Sequence, residues 1–206
     1  METQTQATDV GWGEPHEGGT AVAMLRRQTR HAHRRLEREL GLMSPDLSLD
    51  EYGSLLVGFA ALHQTLDLEI GAQLERVPSA AVLELDFPAR RRTPLLTRDL
   101  ARLGLRLPPP VPFPLSSLAG ALGALYVSEG ALLGGQVIEP HVRRVLGADT
   151  PLAFFGCDGS DRSGVAARWA SCRHLIDALL VAPSDRAEAA AVAVAAFDRF
   201  SEVLRR

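Results

Sequence analysis

Apolar residues recur along this chain at spacings of three and four. In residues 20–40, Leu25, Thr29, Ala32, Leu36 and Leu40 mark one helical face, and Gly41 supplies a stop. The stretch "SLDEYGSLLVGFAALHQTLDLEIGAQL" opens with Ser48 and Glu51 in capping-box spacing, predicting a long helix to about Leu74. "TPLLTRDLARLG" reads as a helix with Thr93 as cap, Pro94 in the first turn and Gly104 as the end. "LRLPPPVPFP" cannot be a helix interior, because proline lacks the backbone donor and clashes with the preceding turn. A long apolar helix follows from about Leu115 to Leu146, expected to bend or break near its glycines and again at Pro140. "SGVAARWASCRHLIDALL" and "SDRAEAAAVAVAAFDRFSEVLRR" read as two final helices divided by Pro183. No alternating strand pattern and no internal repeat emerges. The pattern predicts an all-α fold. Residues 20–206 form one compact helical domain, preceded by a flexible tail over residues 1–19.

Composition narrows the function. The chain has 206 residues, 46% of them hydrophobic, and a net charge of −3. That length supports one well-buried core, and the charge lacks the strong basic excess of a nucleic-acid binder. Every basic side chain is arginine; there is no lysine. Two cysteines, Cys157 and Cys172, make neither a disulfide framework nor a cysteine zinc site and are expected to be reduced thiols. The polar, glycine-rich N-terminus lacks a basic region followed by an apolar core, so no secretory signal is expected. No uninterrupted apolar run reaches a membrane-spanning length, and the expected location is cytoplasmic.

Candidate chemistry begins in "MLRRQTRHAHRRLERE". His31 and His33 are two positions apart and point nearly opposite ways on a helix. His33 lies one turn after Thr29 and three residues before Leu36, so it borders the apolar face. His31 falls among arginines. Arg26 and Arg30 flank His33, and Glu37 follows at i+4, where its carboxylate can orient the imidazole. The set suits an iron porphyrin: an imidazole for the metal and guanidinium groups for the propionates. A partly buried histidine held by a glutamate on a basic surface helix would show the same pattern.

The long apolar helix poses a second question, because glycine recurs at positions 120, 123, 130, 134 and 135. Five interior glycines cost roughly 4–5 kcal/mol relative to alanine. Glycine permits close backbone approach, as a flat macrocycle with a small gas molecule beside it would require. Gly123, Gly130 and Gly134 share one ridge, and the adjacent Gly135 lies on another face. Tight helix packing through small residues explains Gly120 and Gly123 well, and the Gly134–Gly135 pair less well.

"LRRQTRHAHRRLE" resembles the opening helix of haem oxygenases, in which a threonine precedes the proximal histidine by four positions. "ALYVSEGALLGGQVI" resembles the distal helix of the bacterial, biliverdin-producing, phytochrome-associated type. "FFGCDGSDRSGVAARWASCRHLIDAL" is similar to the segment after it, and the likeness runs over residues 20–204. The resemblance implies haem between the first helix and a kinked glycine-rich distal helix. His33 would be the axial iron ligand and Glu37 its partner, with Thr29 one turn before. Gly134 and Gly135, with Gly130 nearby, would form the distal wall. Arg30 and Arg26 match basic residues near the propionates, Arg173 matches a further one, Tyr126 opens the distal motif, and Phe200 matches a pocket aromatic. One departure stands out. Animal-type members carry Gly-Asp shortly before the glycine pair, whereas this chain has Ser128-Glu129-Gly130. Glu129 is not equated with that aspartate; a solvated or structural role is the simpler expectation.

The implied reaction opens haem to biliverdin with release of carbon monoxide and ferrous iron. It uses O2 and electrons from an external ferredoxin or flavin-linked reductase docking near the basic edge. A phytochrome is a possible acceptor of the product. A haem carrier or sensor that never turns the ring over is the alternative from another class. A di-iron carboxylate protein would need paired Glu-x-x-His motifs, which His63, His141 and His174 do not provide.

Overall fold

The computed structural model describes residues 19–156 and 162–205. The expected tail, apart from Gly19, and Cys157 lie outside the described residues. Helix α1 spans Ala21–Leu40, α2 Leu49–Leu74, α3 Ala80–Leu85, α4 Thr93–Arg102, α5 Leu118–Leu146, α6 Arg162–Leu179 and α7 Pro183–Leu204. A short 3-10 turn, Phe87–Arg90, stands between α3 and α4. No strand occurs among the described residues, as the all-α expectation requires.

Local chemistry accounts for most helix ends. The Thr20 hydroxyl accepts from the Ala23 amide, and α1 stops at Gly41 in the left-handed region at φ 61°. Ser48 and Glu51 form the full capping box of α2, with each side chain bonding the other's backbone amide. Ser117 caps α5 by accepting from the Gly120 amide.

Three expectations change. Helix α4 starts on Thr93 itself, with Arg92 at the cap position. The Asp67 carboxylate on α2 does the capping, accepting from the Arg92 amide at 3.2 Å and the Thr93 amide at 2.8 Å. The Thr-Pro signal was therefore one residue out, because a tertiary partner replaced the local hydroxyl. Helix α5 is continuous across its glycines and through Pro140. Its expected break does not occur: one missing donor removes one bond, and the buried Val142 anchors the turn beyond. Finally, α3 and the 3-10 turn fill residues 80–90, which the apolar periodicity left unassigned.

Helix α7 is the hub. It packs against both α1 and α5, and α1 touches α5 at few points. The alanines of α7 allow this closeness. A Cβ on Gly123 would collide with the Ala189 backbone, so α5 and α7 approach almost main chain to main chain. Helix α5 is long and apolar enough to cross a membrane by composition, but 72% of its most apolar window is buried inside the protein. It is a core helix. The proline-rich segment lies along α2, held by Gln64 to the Pro108 carbonyl, Thr65 to the Val111 carbonyl and Gln73 to the Leu115 carbonyl.

Candidate functional site

The α1 stripe divides as its spacing predicts. Leu25, Thr29, Ala32 and Leu36 are buried, His33 is half-buried and His31 is exposed. The Glu37 carboxylate faces His33 Nδ1 at 3.6 Å, too long for a hydrogen bond but close enough to bias the ring electrostatically. Burial lowers the His33 pKa, opposed by the Glu37 carboxylate and reinforced by the Arg34 guanidinium. A neutral imidazole is the form that ligates metals.

Where α1 meets α5, the Tyr126 phenol meets the Thr29 hydroxyl and feels the Arg26 charge. Burial raises the phenol's pKa, and the Thr29 hydroxyl and Arg26 charge pull it partly back. The Thr29 hydroxyl also donates to the Leu25 carbonyl at 2.8 Å. His33 is one turn beyond Thr29, and Gly130 and Gly134 are one and two turns beyond Tyr126. Arg30 is exposed and Arg26 half-buried on the same helix. Arg173 is exposed on α6, one turn before Asp177, whose carboxylate accepts from the Val22 amide of α1 at 3.0 Å. Arg26 is itself one turn after Val22.

The two adjacent glycines do different work. A Cβ built on Gly134 meets only Ile138 of its own helix, at 3.8 Å, and so opens onto space. A Cβ on Gly135 would drive into the Phe155 carbonyl oxygen. Gly135 seats α5 on the segment after it.

Two aromatics of α7 stand at different depths on this side. Phe197 of α7 stands edge-on to His33, with ring centroids 5.3 Å apart. Phe200, the residue expected to line the pocket, is buried deeper, 5.7 Å from Phe59 and 5.3 Å from His63. Phe197 precedes it by three positions on the same helical face, which was the available clue.

Glu129 is structural. It is 1% exposed and accepts from Arg90 Nη1 at 2.7 Å, Arg168 Nη2 at 2.7 Å and Arg168 Nε at 3.0 Å. Arg90 continues the network to the Ser171 hydroxyl, tying the 3-10 turn, α5 and α6 together. Two guanidinium groups engage this carboxylate, so it is no counterpart of a distal aspartate. Cys172 is buried beside this network, and burial pushes its thiol well above the usual range. Among the described residues, no three His, Cys, Asp or Glu side chains gather at one point.

His63 is a residue the sequence pattern did not single out. It sits on α2 between Phe154 and Phe200, 1% exposed, with Nδ1 lacking a hydrogen-bond partner. Burial, and then the Arg92 charge, lower its pKa to about 3. The unfolded chain takes up this proton near pH 6.5, so the stabilisation is present above that pH and lost as pH falls toward 3. Each unit in that window costs about 1.4 kcal/mol. Urea midpoints between pH 7 and 5 should therefore fall more steeply for the unaltered protein than for His63→Leu. Asp67 and Asp99, whose pKa values burial raises, act in the opposite sense and are common to both proteins. Parallel pH profiles would remove His63 as an acid-labile point.

Comparison with known proteins supplies the remaining evidence. No family model matches the chain. A relative from Xanthomonas campestris pv. campestris (strain 8004), named heme oxygenase, is 38% identical over 116 residues, covering 56% of this chain and 68% of that protein. The fold matches the heme oxygenase from Leptospira interrogans with a TM-score of 0.74 at 18% identity, over 91% of this chain and 99% of that one. It matches the NO- and CO-bound heme oxygenase from Neisseria meningitidis at 0.72 and 22%, over 91% and 92%. Heme oxygenase-1 from the cyanobacterium Synechocystis, solved in complex with heme, gives 0.69 at 16% identity, over 90% and 91%. The helical order, the half-buried histidine backed by Glu37 and the relative in Xanthomonas thus converge, and this chain belongs to the haem oxygenase family.

Proposed function

We propose that the protein binds haem and opens it oxidatively to biliverdin, releasing carbon monoxide and ferrous iron. The observation that carries this reading is the pairing of two surfaces at the Tyr126–Thr29 contact. His33 lies one turn along α1, and along α5 a glycine stands one turn beyond Tyr126, at Gly130, and two turns beyond, at Gly134, where a Cβ would meet open space. The residues fit the group: burial favours the neutral imidazole of His33, and a Cβ at Gly134 would meet only Ile138, leaving room beside the helix. When bound, haem supplies the iron that activates O2 and the meso carbon that is oxidised.

The chain's own residues then have limited tasks. Glu37 faces Nδ1, so the ligand role falls on His33 Nε2. Arg26, Arg30 and Arg173 hold the propionates and set the ring's rotation. The Gly130–Gly134 ridge limits which edge of the ring is reachable, and Phe197 buttresses the imidazole. Electrons come from an external ferredoxin or flavin-linked reductase, and biliverdin passes to an acceptor such as a phytochrome.

The test is aerobic incubation of the protein with hemin and ascorbate, followed by chromatography of the pigment. Loss of the Soret band with formation of biliverdin is expected. Retention of the Soret band would favour a carrier or sensor of the same fold. His33→Ala should abolish the normal axial ligation and turnover, and His31→Ala should leave both unchanged. A wild-type haem spectrum in both variants would refute the ligand assignment.

A further inference from the structure

Segment 151–156, which follows α5, is gripped from two other helices. The Tyr52 hydroxyl of α2 donates to the Pro151 carbonyl at 2.8 Å. The Asp99 carboxylate of α4 is 0% exposed and accepts from the Ala153 amide at 2.9 Å and the Phe154 amide at 2.8 Å. Arg92 Nη2 donates to the Phe154 carbonyl at 2.6 Å, and its guanidinium lies 4.7 Å from the Phe154 ring centroid. Arg92, at the cap position of α4, and Asp99, within the helix, are seven positions apart, about two turns. Between them they engage both the amide and the carbonyl of Phe154. The next carbonyl, that of Phe155, is the one against which Gly135 is seated.

We propose that Asp99 is a positioning residue for the ring-facing side of α5. By fixing the backbone at Ala153 and Phe154, it sets how closely Phe155 lets α5 approach at Gly135. It thereby sets where the Gly130–Gly134 ridge stands over the cleft. Close-packed interiors transmit such displacements, because no void absorbs them. A neutral replacement changes the carboxylate's paired acceptance without touching α1, so the effect reaches the ligand on the α5 side alone. The inference rests on the haem reading above.

The experiment uses the full chain loaded with haem, reduced and exposed to carbon monoxide. Asp99→Ala should shift the C–O stretching band and change the carbon monoxide dissociation rate about threefold or more. The iron–histidine stretch of the ferrous form, which reports on α1, should stay put. Asp99→Asn, which keeps one carbonyl acceptor, should give a smaller change of the same sign and decides the matter if Asp99→Ala does not fold. Leu175→Ala removes a fully buried α6 side chain, leaves the Asp99 hydrogen bonds in place and serves as the destabilised control. Wild-type carbon monoxide kinetics and band in the Asp99 variants overturn the proposal, as does an equal shift in Leu175→Ala. If the unaltered protein cleaves haem and the Asp99 variants behave like it, only this inference fails. If the unaltered protein binds no haem, the functional reading fails and this inference with it.

Discussion

Gly135→Ala should destabilise the protein by about 3 kcal/mol or more, and Gly134→Ala should stabilise it by about 0.5–1 kcal/mol. The substitutions are chemically identical and adjacent, so helix propensity favours alanine equally at both, by roughly 1 kcal/mol. What differs is the neighbour. At Gly135 the new methyl meets the Phe155 carbonyl oxygen, a backbone atom held through Phe154 by Arg92 and Asp99. It cannot yield without moving α4 or α5. At Gly134 the methyl makes an ordinary contact with Ile138 at 3.8 Å. Gly123→Ala should behave like Gly135→Ala, because its obstacle is the Ala189 backbone. Denaturant titration of the four proteins checks the order. Equal midpoints for Gly134→Ala and Gly135→Ala would refute the division of labour between them. Gly134→Leu should in addition weaken carbon monoxide binding to the haem-loaded protein while leaving the chain folded.

Glu129→Gln should lower stability by about 3–5 kcal/mol. The carboxylate neutralises Arg90, whose side chain is 9% exposed, and Arg168, which is 24% exposed. The Arg90 guanidinium cannot reach bulk water without unmaking the joint between the 3-10 turn and α6, whereas Arg168 is partly solvated. The amide keeps the shape but supplies no charge and turns one acceptor into a donor facing a guanidinium. For a chain of this size, that loss corresponds to a fall in Tm on the order of 10 °C. Differential scanning calorimetry reads it directly. A Tm within 2–3 °C of the unaltered protein, equivalent to about 1 kcal/mol, would mean that the network contributes little.

The features legible in the sequence are those decided within one or two turns of chain. Gly41 and the Ser48–Glu51 box act on their own helix, and each does what its spacing predicts. The distinction between His33 and His31 also follows from helical geometry alone. What escaped depends on partners far along the chain. Asp67 caps a helix that begins 26 residues later, so the Thr93 hydroxyl was credited with the task. The contrast between Gly134 and Gly135 exists only because Phe155 returns to the helix 20 residues on. Glu129 meets arginines 39 residues away on either side, which no local pattern encodes. Which of Phe197 and Phe200, on one face of α7, stands against His33 is likewise not a local matter. Only the packing of α1 against α7 decides it.

Helix α5 is fastened at both extremities. Ser117 at its start bonds Glu188 of α7, and His141 near its end bonds the Ser44 carbonyl of the α1–α2 loop at 3.0 Å. Such a helix behaves like a strung bow. With both ends tied, it cannot swing away as a rod, and any displacement of its middle has to be a bend between two fixed points. Glu129 and Gly135, each seated on a neighbour inside that span, act as frets on the string.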